Sequence, residues 1–152
     1  MVKFVVNSDG GARGNPGPAG IGAVIKQKTE KGGLKTIKEI SEFIGDATNN
    51  QAEYQGILAA LKFLRLKTEN EKLKIEEIDC YLDSQLVVEQ MNGRYKIKNE
   101  GLKPLFWEIR TLVMDLGGRV MFEYVPREKN KEADKLVNEA IDKFSSNTTN
   151  QH

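Results

Sequence analysis

The chain has 152 residues, 39% apolar and 30% charged, a balance that fits one domain with a sizeable core. Its 23 basic and 22 acidic side chains give a net charge of +1, which excludes a protein that coats nucleic acid through bulk positive charge. The single cysteine, Cys80, excludes an internal disulfide, and its apolar surroundings predict a buried, inert thiol in a reducing compartment.

The first part of the chain has the pattern of three strands. Val2–Asp9 is apolar on both faces, which predicts a central strand, and the glycine- and proline-rich stretch Gly10–Gly20 predicts a loop. Ile21–Lys28 and Leu34–Ile44 alternate as strands and are joined by a predicted turn at Lys31–Gly33. These three strands should form an antiparallel meander.

The rest of the chain alternates between helices and strands. Apolar residues at helical spacing predict a helix from Asn50 to Leu66. The later predicted elements are a strand over Ile75–Asp83, helices over Ser84–Met91 and Leu102–Leu116, a strand over Arg119–Val125 and a helix over Asn130–Phe144. Residues 145–152 are polar and predict a flexible tail. The order predicts one α/β domain over residues 1–144, a five-stranded mixed sheet with its first three strands antiparallel, flanked by helices.

Two acids lie at the ends of predicted strands. Asp9 ends the first strand and Asp83 ends the fourth, and parallel pairing would bring both carboxylates to one edge of the sheet. Each has a plainer interpretation that the sequence leaves open. Asp9 suits a turn before Gly10, and Asp83 suits the N-cap of the following helix.

Two more acids lie in the first turns of predicted helices. Glu53 lies on the same helix face as Ile57, at the start of an apolar stripe that should be buried. Burial of its charge costs free energy unless a cation binds to it. Asp134 lies three residues before Val137, at the margin of the last helix's stripe. The plainer interpretations are a capping-box glutamate, three residues after Asn50, and a solvated first-turn acid.

Four acids that can meet at one edge are a stronger signal than any one of them. Like charges this close repel unless divalent cations neutralise them. Carboxylate oxygens suit Mg²⁺ or Mn²⁺, whereas zinc favours histidine and cysteine, of which the chain has one each. Two such ions roughly 3.5–4 Å apart can activate water and stabilise the leaving oxygen in phosphodiester hydrolysis. The pattern therefore predicts metal-dependent phosphoryl chemistry.

Four motifs, in order along nearly the whole chain, resemble those of the type 1 ribonucleases H. They are SDGGARGNPGPAG at 8–20, TNNQAE at 48–53, LDSQLV at 82–87 and PREKNKEAD at 126–134. The resemblance implies the ribonuclease H-like fold and an endonuclease that hydrolyses the RNA strand of RNA–DNA hybrids with two Mg²⁺ ions, or Mn²⁺ in their place. It implies 5′-phosphate and 3′-hydroxyl ends. The implied catalytic, metal-binding carboxylates are Asp9, Glu53, Asp83 and Asp134.

The same resemblance assigns substrate contacts to polar residues near these acids. Three match positions that contact the minor groove of the hybrid, where the 2′-hydroxyl distinguishes RNA from DNA: Asn15, Asn49 and Asn50. Thr48 and Asn99 match positions that hold a phosphate of the DNA strand. Gln85, in the third motif, is placed with the substrate-binding residues.

The loop before the last aspartate departs from the family's pattern. Many members carry a histidine there, but here the loop is Pro126–Asn130 and the only histidine is His152. Arg127 is either an auxiliary group in its place or a partner in a structural salt bridge. Metal-bound water can act without a histidine, so we expect activity.

A second departure is the absence of the basic protrusion with which some members grip the hybrid. Lys96 and Lys98, with their neighbours Arg94 and Lys103, form either a reduced phosphate grip beside Tyr95 or a solvated basic loop.

Several other functions compete with this prediction. A nucleotide-phosphate loop at Gly10–Gly20 is disfavoured because the stretch lacks a Gly-Lys-Ser/Thr ending and precedes a strand. Another nuclease or transferase of the wider superfamily, a catalytically inactive hybrid-binding module and a reverse transcriptase domain stay open. We expect a cytoplasmic monomer with no obligate protein partner. No apolar run approaches the ~18 residues of a membrane span, and Met1 leads directly into a predicted strand.

Overall fold

The chain folds into a five-stranded sheet with helices on both faces. The computed structural model describes residues 1–149, and their side chains through Asn147. In chain order the elements are β1 (Val2–Ala12), β2 (Gly17–Lys28), β3 (Leu34–Ala47), α1 (Asn49–Glu71), β4 (Ile75–Leu82), α2 (Gln85–Met91), α3 (Lys103–Asp115), β5 (Val120–Tyr124), a 3₁₀ turn (Arg127–Lys129) and α4 (Lys131–Thr149). The predicted order of elements is confirmed.

The sheet has the predicted mixed topology. Its strand order is β3-β2-β1-β4-β5, so β1 is central. The first three strands form an antiparallel meander, and β4 pairs parallel to both β1 and β5. Because β1 and β4 are parallel neighbours, their carboxyl ends meet at one edge of the sheet.

The core lies between the sheet and the helices on its faces. Helix α1 packs on β1 and β2 and is backed by α3, whereas α4 packs across β1, β2 and β3. Ile57, Leu61 and Leu64 of α1 are completely buried, and each such side chain contributes about 1.5–3 kcal/mol of burial free energy. Cys80 of β4 is also completely buried, as predicted, and burial raises the pKa of its thiol.

The predicted loop at Gly10–Gly20 is wrong over most of its length. Strand β1 continues to Ala12 and β2 begins at Gly17, with Gly11 paired opposite Gly20. The glycines of this stretch that lie within the strands serve close packing rather than a turn. A Cβ on Gly20, for example, would lie 2.9 Å from the carbonyl oxygen of Val137 in α4.

Two helices extend beyond their predicted ends. Helix α1 continues past Leu66 to Glu71 and ends at Lys72, whose φ of 53° places it in the left-handed region. Its last turn is fixed by buried Thr68, whose hydroxyl donates to the carbonyl oxygen of Leu64 at 2.9 Å. Helix α4 continues past the predicted boundary at Phe144 to Thr149. The flexibility of the tail stays a prediction, and residues 150–152 lie outside the described residues. Of the helices in the described part of the chain, none is both long and apolar enough to cross a membrane.

Candidate metal centre and active site

Three of the four predicted carboxylates converge at the carboxyl end of β1 and β4. Asp9, Glu53 and Asp83 each offer one oxygen, and these oxygens all lie within 4.8 Å of one another. Ser8 is paired with Leu82 across the two parallel strands, so the next residues, Asp9 and Asp83, emerge side by side. The predicted position of Asp9 needs one correction, since it lies inside β1 rather than at its end.

The third carboxylate comes from α1, which approaches β1 very closely. A Cβ on Gly10 would lie 2.1 Å from the carbonyl carbon of Ala52, and one on Gly56 would lie 2.5 Å from the backbone oxygen of Asp9. Only glycine fits at such a crossing without a shift of the backbone. This contact of helix and strand places Glu53 beside Asp9.

The helix caps exclude the plainer interpretations of Glu53 and Asp83. Thr48 caps α1 by accepting from the backbone nitrogen of Gln51 at 3.1 Å, and the side chain of Gln51 completes the capping box. Ser84 caps α2 by accepting from the backbone nitrogen of Val87 at 3.3 Å. Neither acid serves as a cap.

Asp134 lies near the other three acids without joining their tight group. It is half-buried in the first turn of α4, and its Oδ2 accepts from Asn138 at 3.4 Å. A cavity of about 410 Å³ is lined by all four carboxylates, so a ligand in this cavity can reach each of them.

The carboxylates lie in surroundings that disfavour their ionised forms. Burial, with the charges of Asp83 and Asp134, raises the pKa of Asp9 from 3.8 to about 7. Burial and the neighbouring Asp9 raise the pKa of Glu53 well above its ordinary value. Burial also raises the pKa of Asp83, although a hydrogen bond from Asn130 offsets part of the rise. The cluster is thus strained as a set of anions unless a cation joins it.

The donor set fits a divalent cation that prefers oxygen. Glu53 is 7% exposed, and its Oε2 has no hydrogen-bond partner among the described residues. A buried carboxylate oxygen in that state loses solvation that only a proton or a cation can replace. Three carboxylates with no histidine or cysteine beside them match Mg²⁺ or Mn²⁺.

Asn130 is a site residue that the analysis of the sequence missed. It is 1% exposed, and its amide nitrogen donates to the backbone oxygen of Ser8 at 2.9 Å and to Oδ2 of Asp83 at 3.3 Å. Its Oδ1 accepts from the side chain of Asn7 at 3.1 Å. An asparagine before a helix signals an N-cap, but its contacts with β1 and Asp83 depend on tertiary structure.

The predicted minor-groove residues lie along one rim of the site. Asn49 and Asn50 line the main cavity, and Asn15 accepts from the backbone nitrogen of Asn49 at 3.0 Å. Oδ1 of Asn49 accepts from the backbone nitrogen of Ala12 at 2.8 Å. Because Asn15 and Asn49 use their side-chain oxygens inside the protein, their NH₂ groups are the atoms left for a ligand.

A second, open cavity of about 580 Å³ lies between α1, α2 and the segment before α3. Its lining includes Asn50 and three of the predicted substrate-binding residues: Lys96, Lys98 and Asn99. Arg94 and Lys103 are already paired, with Glu89 at 2.9 Å and Glu100 at 2.7 Å. Gln85 is exposed at the start of α2, and neither it nor the capping residue Thr48 lines either cavity.

Arg127 begins the 3₁₀ turn before α4 and lines the main cavity. The ion pairs among the side chains that the structure describes do not include it. Its charge opposes the rise in pKa that burial causes at Glu53 and Asp83. The alternative of a structural salt bridge is thus not found among the described side chains, and the auxiliary role of Arg127 stays a prediction.

Comparison with known proteins identifies relatives that match nearly the whole chain. A family model described as reverse transcriptase-like matches residues 7–140. LC11-RNase H1, isolated from compost by a metagenomic approach, is 46% identical, with a TM-score of 0.81 over 94% of this chain and 98% of that one. It has also been solved in complex with an RNA/DNA hybrid.

Two further relatives have sequence and structural matches. A bifunctional protein of Mycobacterium tuberculosis is 42% identical over 141 residues, which cover 93% of this chain and 36% of that protein. Ribonuclease HI of Halobacterium salinarum is 37% identical over 134 residues, which cover 88% of this chain and 62% of that protein. The solved halobacterial RNase H1 gives a TM-score of 0.77 at 35% identity, over 93% of this chain and 98% of that one. The chain thus spans about a third of the mycobacterial relative.

Proposed function

The chain belongs to the type 1 ribonuclease H family, and on that premise we propose that it is a metal-dependent endonuclease that hydrolyses the RNA strand of RNA–DNA hybrids. The observation that carries the proposal is the convergence of oxygens from Asp9, Glu53 and Asp83, together with a buried oxygen of Glu53 that has no hydrogen-bond partner among the described residues. Asp134, on the same cavity, completes the set of acids.

The four carboxylates would hold two divalent cations, Mg²⁺ with Mn²⁺ as a substitute. When bound, such ions supply an activated water and stabilise the charge that develops on the leaving oxygen. The chain's own part is to fix the carboxylates on elements that pack closely on one another: β1, α1, the end of β4 and the start of α4. This preorganisation avoids reorganisation of the site during the reaction. The products carry 5′-phosphate and 3′-hydroxyl ends.

Substrate selection is assigned to the rim of the site. The NH₂ groups of Asn15 and Asn49, with Asn50 beside them, would donate to 2′-hydroxyls and base edges in the minor groove, which the use of their side-chain oxygens inside the protein supports. Lys96 and Lys98, at the second cavity, are suited to the phosphates of the DNA strand, together with Asn99. Thr48 and Gln85 keep the substrate-binding role that the resemblance implies, although Thr48 also caps α1.

The cellular setting follows the sequence-based expectation. We place the protein in the cytoplasm as a monomer without an obligate protein partner. Its one cysteine is completely buried, which suits a reducing compartment.

The proposal is tested by incubating labelled RNA–DNA hybrid, duplex RNA, duplex DNA and single strands with Mg²⁺, Mn²⁺ or EDTA. We expect internal cuts in the RNA of the hybrid alone, with either metal, and none in EDTA. A Glu53→Gln protein purified in the same way controls for contaminating nucleases. Equal cleavage of duplex DNA, or activity that EDTA does not reduce, contradicts the proposal. Hybrid binding without cleavage in either metal identifies an inactive binding module.

Arg127→Ala should reduce kcat only moderately, by about 10-fold, because metal-bound water can act without this side chain. The charge of Arg127 near Glu53 and Asp83 points to an auxiliary electrostatic contribution. Single-turnover kinetics with saturating hybrid and Mg²⁺ measure the effect, and the exposed, neighbouring Lys129→Ala is the matched control. A folded Arg127→Ala protein that is almost inactive would show that this arginine is essential to the chemistry.

A further inference from the structure

We infer that Asn130 is a positioning residue that holds the carboxylates of the metal site in their binding arrangement. The inference rests on the proposed function, because it assigns to Asn130 a role in the metal affinity and turnover of that same site. Asn130 itself does not line the main cavity, so it acts through the residues it contacts.

The side chain of Asn130 joins two of the strands that carry the acids. Its amide nitrogen donates to the backbone oxygen of Ser8, the carbonyl of the peptide bond that leads to Asp9. The same nitrogen donates to Oδ2 of Asp83, immediately after β4. This NH₂ group therefore fixes the carboxylate of Asp83 relative to the backbone of β1 next to Asp9.

The backbone of Asn130 adds the helix that carries the fourth acid. Its carbonyl oxygen accepts from the backbone nitrogen of Asp134 at 3.1 Å in the first turn of α4. A shift of Asn130 would thus change the position of Asp134 relative to Asp83. The residue links β1, the end of β4 and the start of α4 at one completely enclosed point.

At this position an asparagine side chain uses both of its donors and its acceptor. The NH₂ group supplies two donors for two oxygens, and Oδ1 accepts from Asn7 at 3.1 Å. The two oxygens that accept from the NH₂ group, on Ser8 and Asp83, fix which end of the amide faces Asp83. A carboxylate here would offer oxygens to oxygens, and alanine would leave the backbone oxygen of Ser8 and one lone pair of Asp83 without their donor.

Residues that orient metal ligands in this way typically change metal affinity or activity by 10–100-fold when they are replaced. For Asn130→Ala we expect kcat to fall by about 10–100-fold at limiting Mg²⁺ and the Mg²⁺ concentration for half-maximal activity to rise by a similar factor. The KM for hybrid should stay within about twofold, because Asn130 lies outside the substrate-binding rim. Raising Mg²⁺ should restore part of the lost kcat, which a purely structural defect would not allow.

The experiment measures kcat, KM for hybrid and half-maximal Mg²⁺ for wild type, Asn130→Ala and Asn7→Ala, together with thermal unfolding of each protein in EDTA. Asn7→Ala is the matched control, because it removes one hydrogen bond of Asn130 and leaves both of its donors in place. Its half-maximal Mg²⁺ should stay within about threefold of wild type. If Asn130→Ala does not unfold cooperatively, Asn130→Asp replaces it, since it keeps the shape and the acceptor but loses both donors.

The outcomes separate the inference from the proposed function. A wild-type protein that neither requires metal nor cuts hybrid overturns the proposed function. An active wild type with a folded Asn130 variant of unchanged kcat and metal requirement overturns the inference alone. The inference also fails if KM for hybrid rises while the metal requirement stays constant, since Asn130 would then act on substrate binding.

Discussion

Asp9→Asn should lower kcat for hybrid cleavage by about 10³-fold, equivalent to about 4 kcal/mol of transition-state stabilisation. Asp9 is 6% exposed, and one of its oxygens lies within 4.8 Å of oxygens from Glu53 and Asp83. In the wild type, the backbone nitrogen of Gly10 donates to Oδ1 of Asp9 at 2.9 Å. The amide oxygen of asparagine can accept the same hydrogen bond. The substitution therefore removes a charged metal ligand while it preserves the local hydrogen bond.

The measurement is the initial rate with saturating hybrid across a Mg²⁺ titration. Asp46→Asn, on the exposed surface of β3, makes the same chemical change away from both cavities and should keep full activity. An Asp9→Asn enzyme within tenfold of wild type would mean that the remaining acids hold the metal without Asp9.

Two independent patterns in the sequence select the same four acids, and three of the four lie together in the structure. Asp9 and Asp83 were selected on the condition that their strands pair in parallel, and in the structure the strands do so and the two carboxylates lie together. Glu53 was selected as a charge at the head of a buried helical stripe, and it is indeed buried. Asp134 was placed by the same logic but lies outside the tight group of three, because the last helix meets the cavity at its margin.

Glycine was the main source of error in the predicted fold. A stretch rich in glycine and proline predicts a loop, yet Gly10 and Gly20 lie within strands that pack directly against helices. A single sequence cannot separate these two uses of glycine, because close approach depends on elements distant in the chain. The predicted end of α1 was wrong for a related reason. The residue that caps this helix in the left-handed conformation is Lys72 and not glycine, so the usual sequence signal for a helix end is absent.

The polar network around the acids was only partly predictable for the same physical reason. The capping roles of Thr48 and Ser84 are local, but the contacts of Asn130 span 122 residues to Ser8 and 47 to Asp83. Such contacts exist only once β1, β4 and α4 have assembled. The motifs therefore predict the acids of the site, whereas the contacts of Asn130 are visible only in the fold.

The crowding of carboxylates should make metal-free protein less stable as the pH rises. Burial, with the charges of Asp83 and Asp134, raises the pKa of Asp9 from 3.8 to about 7. Between pH 4 and pH 7 the unfolded chain therefore releases a proton that the folded chain retains, so the contribution of Asp9 to the free energy of unfolding falls with pH across this window and levels off above it. A shift of about three units corresponds to about 4 kcal/mol as an upper limit. Because the neighbouring Glu53 can share the proton, we expect roughly half of that.

Asp9→Asn should thus stabilise the metal-free protein at pH 8 by roughly 2 kcal/mol, or about 4–8 °C in Tm, and should give no gain at pH 4. Mg²⁺ at about 100 times its Kd should stabilise wild type by roughly 2.7 kcal/mol and the variant by clearly less, since the variant lacks one ligand. The measurement is thermal unfolding of both proteins at pH 4 and pH 8, in EDTA and at pH 8 with Mg²⁺. Asp46→Asn should follow wild type throughout. An Asp9→Asn protein that melts below wild type at pH 8 in EDTA would identify Asp9 as a stabilising structural residue, and the site would then not be a set of mutually repelling anions that a cation relieves.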